Sequence, residues 1–282
     1  MTFPPSLAAE VERNVRAALA EDVGSGDLTA LLVPAGQRAA GVVVTREDAV
    51  LCGTAWFDAC LRLLDPAARI RWLAQDGAHI AAGQIVCEIG AETRALLTGE
   101  RSALNFLQLL SGGATQTRRY VDAVAGTRAR IVDTRKTLPG LRLAQKYAVR
   151  CGGGANHRLG LYDGILIKEN HIIASGGVTA ALQRARRIAP PGVFIQIEVE
   201  TLEQLAEALD AGAALILLDN MDLRRMRQAV GLSAGRAELE ASGGVRLDSV
   251  RAIAETGVDR ISIGTLTKDV RATDYSLRHA ED

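Results

Sequence analysis

Apolar positions along this chain keep two different rhythms. In the first part Leu7, Val11, Val15 and Leu19 recur at helical spacing and predict an amphipathic helix. It closes in the acidic, glycine-rich loop Glu21-Asp22-Val23-Gly24-Ser25-Gly26-Asp27-Leu28-Thr29. That loop lacks the length and ligand order of a calcium-binding loop and reads as structural. Short runs over residues 39–45, 49–52, 70–74 and 85–89 predict strands, with a helix over 54–64 and turns at Asp76-Gly77 and Ala82-Gly83. Together they describe an α+β unit with a small antiparallel sheet. Residues 92–124 turn helical again, with Leu96, Leu97, Leu104, Leu107 and Leu110 on one face and a break expected at Ser111-Gly112-Gly113.

From residue 130 the rhythm changes to regular alternation of strand and helix. Strands are predicted at 130–133, 164–168, 194–200, 214–219, 237–242 and 260–264, about 20 to 35 residues apart. Amphipathic helices fall between them. Thr201-Leu202-Glu203-Gln204 is a capping-box start, and Leu247, Val250 and Ile253 form a stripe closed by Gly257. Such alternation builds βα units on a parallel sheet, either a barrel or an open doubly wound sheet.

Composition narrows the function. The chain has 282 residues, 48% of them hydrophobic, and a formal net charge of zero, so bulk charge draws it to neither nucleic acid nor membrane. Aromatics are only 4%, which leaves few platforms for stacking bases. No run approaches the roughly 18 apolar residues of a membrane span, and no secretory core stands at the start. The cysteines Cys52, Cys60, Cys87 and Cys151 form no metal-binding spacing and read as reduced core thiols of a cytoplasmic protein. Cys151, inside a basic stretch, is also weighed as a nucleophile.

Local charge is far from neutral. Between Ile131 and His171 lie seven Lys or Arg residues and two His, against three carboxylates. The stretch is bounded by the two strands Ile131-Val132 and Ile165-Leu166-Ile167, which run directly into Asp133-Thr134-Arg135-Lys136 and Lys168-Glu169-Asn170-His171. In parallel α/β folds, functional groups gather at the carboxyl ends of strands. Arg135, Lys136, Arg158 and Lys168, with His157 and His171, offer donors for carboxylates or phosphates. Arg142 and Lys146 either reach the same side or face solvent. Glu198 and Asp219 suit ribose hydroxyls or a hydrated Mg²⁺, although Gln196, Glu198 and Glu200 also fit a structural polar layer. Ser242-Gly243-Gly244 and Gly264 follow the last two strands, a frequent place for backbone amides to hold phosphate. A Schiff-base role for Lys168 stays open if the lysine is buried.

The stretches EDVGSGDLTA, TGERSALNFLQLLSGGAT, DTRKTLPGLR, KYAVRCGGGANHRLGLYDGILIKENHI, IEVETLEQL, ILLDN, EASGG and TGVDRISIGTLTK run from Glu21 to Lys268, and in them the chain resembles the quinolinate phosphoribosyltransferases. The resemblance implies an N-terminal α/β sandwich domain over residues 1–110, joined by the tail 270–282, and an incomplete parallel α/β barrel over 111–269. It implies transfer of phosphoribosyl from phosphoribosyl pyrophosphate to quinolinate with loss of CO₂, and Mg²⁺ as cofactor. By motif, Thr134, Arg135, Lys136, His157, Arg158 and Lys168 line the basic pocket. Glu198 and Asp219 face ribose and metal, directly or through water. Ser242, Gly243, Gly244, Ile263, Gly264 and Thr265 surround the phosphate. Lys136, Lys168, Glu198 and Asp219 carry the catalysis. Arg101 enters the site of a neighbouring subunit, which makes the enzyme a homodimer or a multiple of one. A relative turned to another anionic substrate, such as the molybdenum-associated branch, and a non-catalytic phosphometabolite sensor are the competing readings; the complete basic set speaks against both.

Overall fold

The computed structural model describes residues 5–279. Its elements, in chain order, open with Pro5–Val23 (α1), Arg38–Thr45 (β1), Ala49–Val50 (β2), Thr54–Leu64 (α2), Arg69–Trp72 (β3), His79–Ile80 (β4), Ile85–Glu92 (β5) and Thr93–Ala123 (α3). Arg130–Val132 (β6), Arg142–Cys151 (α4), Gly164–Ile167 (β7), Glu169–Ser175 (α5), Val178–Ile188 (α6), Phe194–Val199 (β8) and Leu202–Asp210 (α7) follow. The chain closes with Leu215–Asp219 (β9), Leu223–Ser233 (α8), Glu238–Ser242 (β10), Val250–Ala254 (α9), Arg260–Ser262 (β11), Thr265–Lys268 (α10) and Tyr275–His279 (β12).

Two compact units form. The first combines Met1–Arg118, Thr137–Gly153 and Leu266–Asp282; the second combines Arg119–Lys136 and Gly154–Thr265. Each compact unit is therefore assembled from segments that are not contiguous in sequence. Helix α4, expected with the barrel, clusters with the first unit because its Ala144, Tyr147, Ala148 and Cys151 are buried in that unit's core, around Trp56, Phe57 and Leu107. Of the tail 270–282, residues 280–282 lie outside the described residues.

The first unit is built on an antiparallel sheet in the order β12-β1-β5-β3, with the short pair β2-β4 beside it. Strand β12 was not predicted; it pairs with β1 from Gly41 opposite His279 to Thr45 opposite Tyr275. Helix α3 is continuous through Ser111-Gly112-Gly113, so the expected break does not exist. The glycines serve close approach instead: a Cβ on Gly112 would stand 2.2 Å from the carbonyl oxygen of Arg271. Ser111 uses its hydroxyl both to accept from Cys52 N at 2.9 Å and to donate to Cys52 O at 3.1 Å. In the acidic loop, Asp27 caps a turn by accepting from Thr29 N and Ala30 N, and these bonds hold its carboxyl below the usual range.

The second unit is a six-stranded, wholly parallel sheet in the order β6-β11-β10-β9-β8-β7. Sequence order is kept from β7 to β11, and the first strand, β6, closes the far side beyond the last. Strands β6 and β7 are the two edges, which is the incomplete parallel α/β barrel expected. On the β6 edge, Ala155 forms an isolated parallel bridge to Val132. Apolar runs such as Leu215–Asp219 make buried strands because a parallel sheet is covered on both faces. Helix α7 starts as its sequence says, with Thr201 Oγ1 accepting from Gln204 N, while the Gln204 side chain accepts from Glu200 N. Helix α9 begins only at Val250, leaving Leu247 exposed ahead of it, and Gly257 follows with φ +93°. Among the described residues, no helix is long and apolar enough to cross a membrane.

Candidate active site

Alternation along the strands decides which side chains meet. Register aligns Glu198 on β8, Leu217 on β9, Glu240 on β10 and Arg260 on β11 in one row across the sheet. Registered neighbours point to the same face, and every second residue along each strand joins them. Asp219 and Ser242, two residues further on, form the next row. The row ends in a cavity of ≈ 300 Å³ lined by Thr134, Arg135, Lys136, His157, Arg158, Leu166, Lys168, Glu198, Leu217, Glu240, Ser242 and Ser262. Residues following both edge strands take part, so the two halves of the basic stretch, far apart in the sheet order, converge on one space.

The loop after β6 is held from within. Asp133 is fully buried and accepts from the Asn156 side chain at 2.6 Å and from His157 N at 2.8 Å. This places His157 and Arg158 against the strand end. Arg158 donates to Gly164 O at 3.0 Å. Burial, and then the neighbouring Arg135 guanidinium, push Arg158 below the usual arginine range. Arg135 keeps a buried Nε–H without a hydrogen-bond partner among the described residues. Two adjacent guanidiniums, one of them incompletely bonded, favour an anion that pairs with both. Lys136 N donates to Thr134 Oγ1 at 3.1 Å. Gly264 leaves room for the Lys136 stem, since a Cβ there would lie 2.9 Å from Lys136 Cδ.

On the opposite edge Lys168 follows β7 and is the N-cap of α5. Its Nζ donates to Glu198 Oε2 at 2.9 Å, and its side chain is half exposed. A lysine so open to water and paired with a carboxylate lacks the burial that a Schiff-base role needs, which removes that reading. Asp219 shares the neighbourhood: burial first, then the Glu198 carboxylate, raise its carboxyl above the usual range, against Lys168, Asn220 and Lys136. Two carboxylates that repel each other beside these cations are residues that could hold a divalent ion.

The turn after β9 and the glycine-rich turn after β10 interlock. Asn220 takes φ +52°, its N donates to Ser242 O at 3.0 Å, and its side chain donates to Asp219 Oδ2 at 2.9 Å. Gly243 has φ +104°, and a Cβ there would sit 2.0 Å from Asn220 Oδ1, so no other residue fits. Ile263 is buried in the strand-end register, its N donating to Val132 O, and Thr265 begins α10 with a buried hydroxyl that lacks a partner among the described residues.

Several expected candidates lie elsewhere. Arg101 is exposed on α3 in the first unit, where it lines a cavity of ≈ 180 Å³ with Glu21, Asp22 and Asn105. Arg142 donates to Thr137 Oγ1, and Lys146 is buried in the first unit rather than solvated. His171 caps α5, its Nδ1 accepting from Lys168 N at 3.0 Å. Cys151, like the other cysteines, is a buried free thiol, and it is not among the cavity residues; the nucleophile reading falls. Of the alternating trio, Gln196 is a buried structural group, Glu198 lines the cavity and Glu200, just past the end of β8, is exposed. Sequence reasoning missed Leu166, Leu217, Glu240 and Ser262 as cavity residues. Their signal was the period of two back from Lys168, Asp219, Ser242 and Gly264, legible only once the strand register is known.

Comparison with known proteins agrees with this geometry. The chain matches the model of the quinolinate phosphoribosyl transferase N-terminal domain over residues 27–111 and that of the C-terminal domain over residues 114–278. It is 46% identical over 273 residues to the nicotinate-nucleotide pyrophosphorylase [carboxylating] of Mycobacterium leprae, covering 93% of this chain and 95% of that one. It is 43% identical over 257 residues to a probable enzyme of the same name from Bacillus subtilis, covering 91% and 89%. The solved nicotinate-nucleotide pyrophosphorylase of Francisella tularensis superposes with a TM-score of 0.94 at 42% identity, over 99% of this chain and 98% of the other.

Proposed function

Because the chain belongs to the quinolinate phosphoribosyltransferase family, we infer that it transfers the phosphoribosyl group of phosphoribosyl pyrophosphate to quinolinate, releasing pyrophosphate and CO₂ and forming nicotinate mononucleotide for NAD biosynthesis. The observation that carries this reading is the convergence of Arg135, Lys136, Arg158 and Lys168 on one cavity beside Glu198. A planar dicarboxylate needs such a set of donors, and guanidiniums match carboxylates in a fork geometry.

The chain's groups act by position and charge. Arg135 and Arg158 hold the carboxylates, so that the pyridine nitrogen faces the anomeric carbon of the sugar. Glu198 and Asp219 take the ribose hydroxyls. The nitrogen's lone pair forms the new bond as the bond to pyrophosphate breaks, through an oxocarbenium-like state. Lys136 and Lys168 offset the negative charge of the departing group. Once quaternised, the ring accepts the electron pair left when CO₂ departs, and a proton then takes that position. No covalent nucleophile is required.

Mg²⁺ is our proposed cofactor; Glu198 and Asp219 would hold it, directly or through water, and it would supply charge neutralisation to pyrophosphate. Backbone amides at Gly243, Gly244 and Gly264, with Ser242 and Thr265, suit the sugar phosphate. The cytoplasm is the proposed setting. The test is direct: purified protein with quinolinate, phosphoribosyl pyrophosphate and Mg²⁺ should yield nicotinate mononucleotide, and chelation of the metal should abolish turnover. No product from quinolinate would reject the assignment.

We also propose a homodimer, or a multiple of one, in which Arg101 serves the partner's site. Arg101→Ala and Lys168→Ala, each inactive alone, should complement when unfolded together and refolded as a mixture. Random pairing makes half the dimers mixed, each with one intact site, so activity should recover to about a quarter of wild type. If Arg101 serves its own subunit, every site keeps a lesion and none recovers.

A further inference from the structure

Beneath the cavity, a chain of buried polar groups crosses the sheet. Arg260 Nε lies 3.1 Å from Glu240 Oε2. The same oxygen accepts from Gln196 Nε2 at 3.1 Å. Gln196 Oε1 lies 2.6 Å from His157 Nε2. On the far side of the imidazole, Nδ1 accepts from the backbone N–H of Arg158 at 2.7 Å. Glu240 and Gln196 are 0% exposed and His157 9%, so solvent offers these groups little.

Arg260 and Glu240 form an ion pair, and each hydrogen-bonded link from Glu240 to the Arg158 main chain has one direction. A backbone N–H can only donate, so Nδ1 is bare and accepts. The neutral ring then carries its proton on Nε2 and must donate to an oxygen. That orients the Gln196 amide with its oxygen toward the ring and its NH₂ toward Glu240, whose carboxylate can only accept. Reversing the amide would set NH₂ against Nε2–H. Protonating the ring would set Nδ1–H against the Arg158 N–H. A carboxylate at one end and a main-chain donor at the other therefore select one tautomer.

We propose that Glu240, acting through Gln196, is a positioning residue that holds His157 as the neutral Nε2–H imidazole and so fixes the main chain that aims Arg158 into the cavity. His157 is then not one of the cations that meet the substrate; that charge comes from Arg135, Lys136, Arg158 and Lys168. Charged groups near the ring include Asp133, which accepts from His157 N, and Glu240 at 3.9 Å from Nε2, and Arg158 follows in the chain; the Phe194 ring packs edge-on at 5.6 Å between centroids. Two carboxylates alone would favour an imidazolium. The main-chain donor on Nδ1 and the interposed amide reverse that preference. The link from Arg158 to quinolinate rests on the function proposed above, whereas the tautomer does not.

The test reads the tautomer itself. The chain has four His, so His79→Asn, His171→Asn and His279→Asn together leave His157 as its only imidazole. Nitrogen-15 spectra of the labelled ring should show a bare Nδ1 and a protonated Nε2, unchanged between about pH 5 and pH 8. A ring that titrates in that window, or one protonated on Nδ1, overturns the proposal. Added to this background, Glu240→Ala should release the ring to titrate or to mix tautomers. Glu240→Gln, which can still present an oxygen to Gln196, should keep the wild-type spectrum. In otherwise unaltered enzyme, Glu240→Ala should raise KM for quinolinate by about tenfold, with KM for phosphoribosyl pyrophosphate changed by less than about twofold; Glu240→Gln should restore it. An unchanged spectrum and KM in Glu240→Ala overturn the proposal. Should Glu240→Ala not fold, Gln196→Glu serves instead: a carboxylate on Nε2 should make the ring titrate, and an unaltered spectrum is the contrary result. If quinolinate is not a substrate, the product assay fails while the spectra still judge the tautomer.

Discussion

Lys168→Ala should lower kcat/KM for the phosphoribosyl transfer on the order of 10²- to 10³-fold while leaving the fold intact. The lysine is half exposed and, among the described residues, its side chain pairs with Glu198, so little packing is lost, and Tm should move by no more than about 2 °C. The effect on the site is much larger. Lys168 lowers the carboxyl of Asp219 against burial and the charge of Glu198. Without it, the two carboxylates face each other with only Lys136 and Asn220 left to offset them, and Asp219 rises further. If Asp219 works ionised, activity falls as pH drops through its pKa, and in Lys168→Ala that fall must begin at a higher pH than in wild type. A pH–rate profile with an unmoved acid limb would separate Lys168 from the Glu198–Asp219 pair. Near-normal turnover would remove the lysine from the mechanism. Lys136→Ala should behave alike in rate, since Gly264 keeps space for this side chain at the mouth of the same cavity.

Nicotinate should fail to replace quinolinate by about 10⁴-fold in kcat/KM. It carries one carboxylate where the proposed substrate carries two. Arg158 is already pushed down by burial and by Arg135, and Arg135 has a buried Nε–H that lacks a partner among the described residues. A ligand that satisfies only one of these donors leaves the other desolvated beside a like charge. Leaving a buried charged donor unpaired is what makes such sites reject analogues strongly. Competition of both acids for limited phosphoribosyl pyrophosphate, with products separated and counted, measures the ratio. Comparable turnover would show that the paired arginines serve another purpose than reading two carboxylates.

The periodicity of apolar residues was enough to place the parallel strands, because a buried strand in a parallel sheet is a short continuous apolar run and its end is marked where charge begins. Arg135, Lys136, Lys168, Glu198, Asp219 and Ser242 were visible for that reason: each stands at such a boundary, and the motifs shared with the family named them again. Charge segregation pointed to an anionic ligand before any coordinates did.

Register and approach were not local properties. Glu240 sits within β10, and only its alignment with Leu217 and Arg260 shows that it faces the cavity floor. His171 looked like a donor for anions and is a helix cap, because the chain turns directly from β7 into α5. Ser111-Gly112-Gly113 looked like a helix break and is a groove for Arg271, a residue far along the chain. Helix α4 sits between two barrel segments in sequence, yet its apolar face is buried in the first unit. The sequence by itself determined which segments become the parallel strands and which ends carry charge, since both follow from spacing and burial of near neighbours. Which of those charges meet, which polar groups are buried together and which glycines are indispensable were decided by tertiary structure alone, because such contacts join residues that have no relation in sequence until the sheet curls and its edges face one cavity.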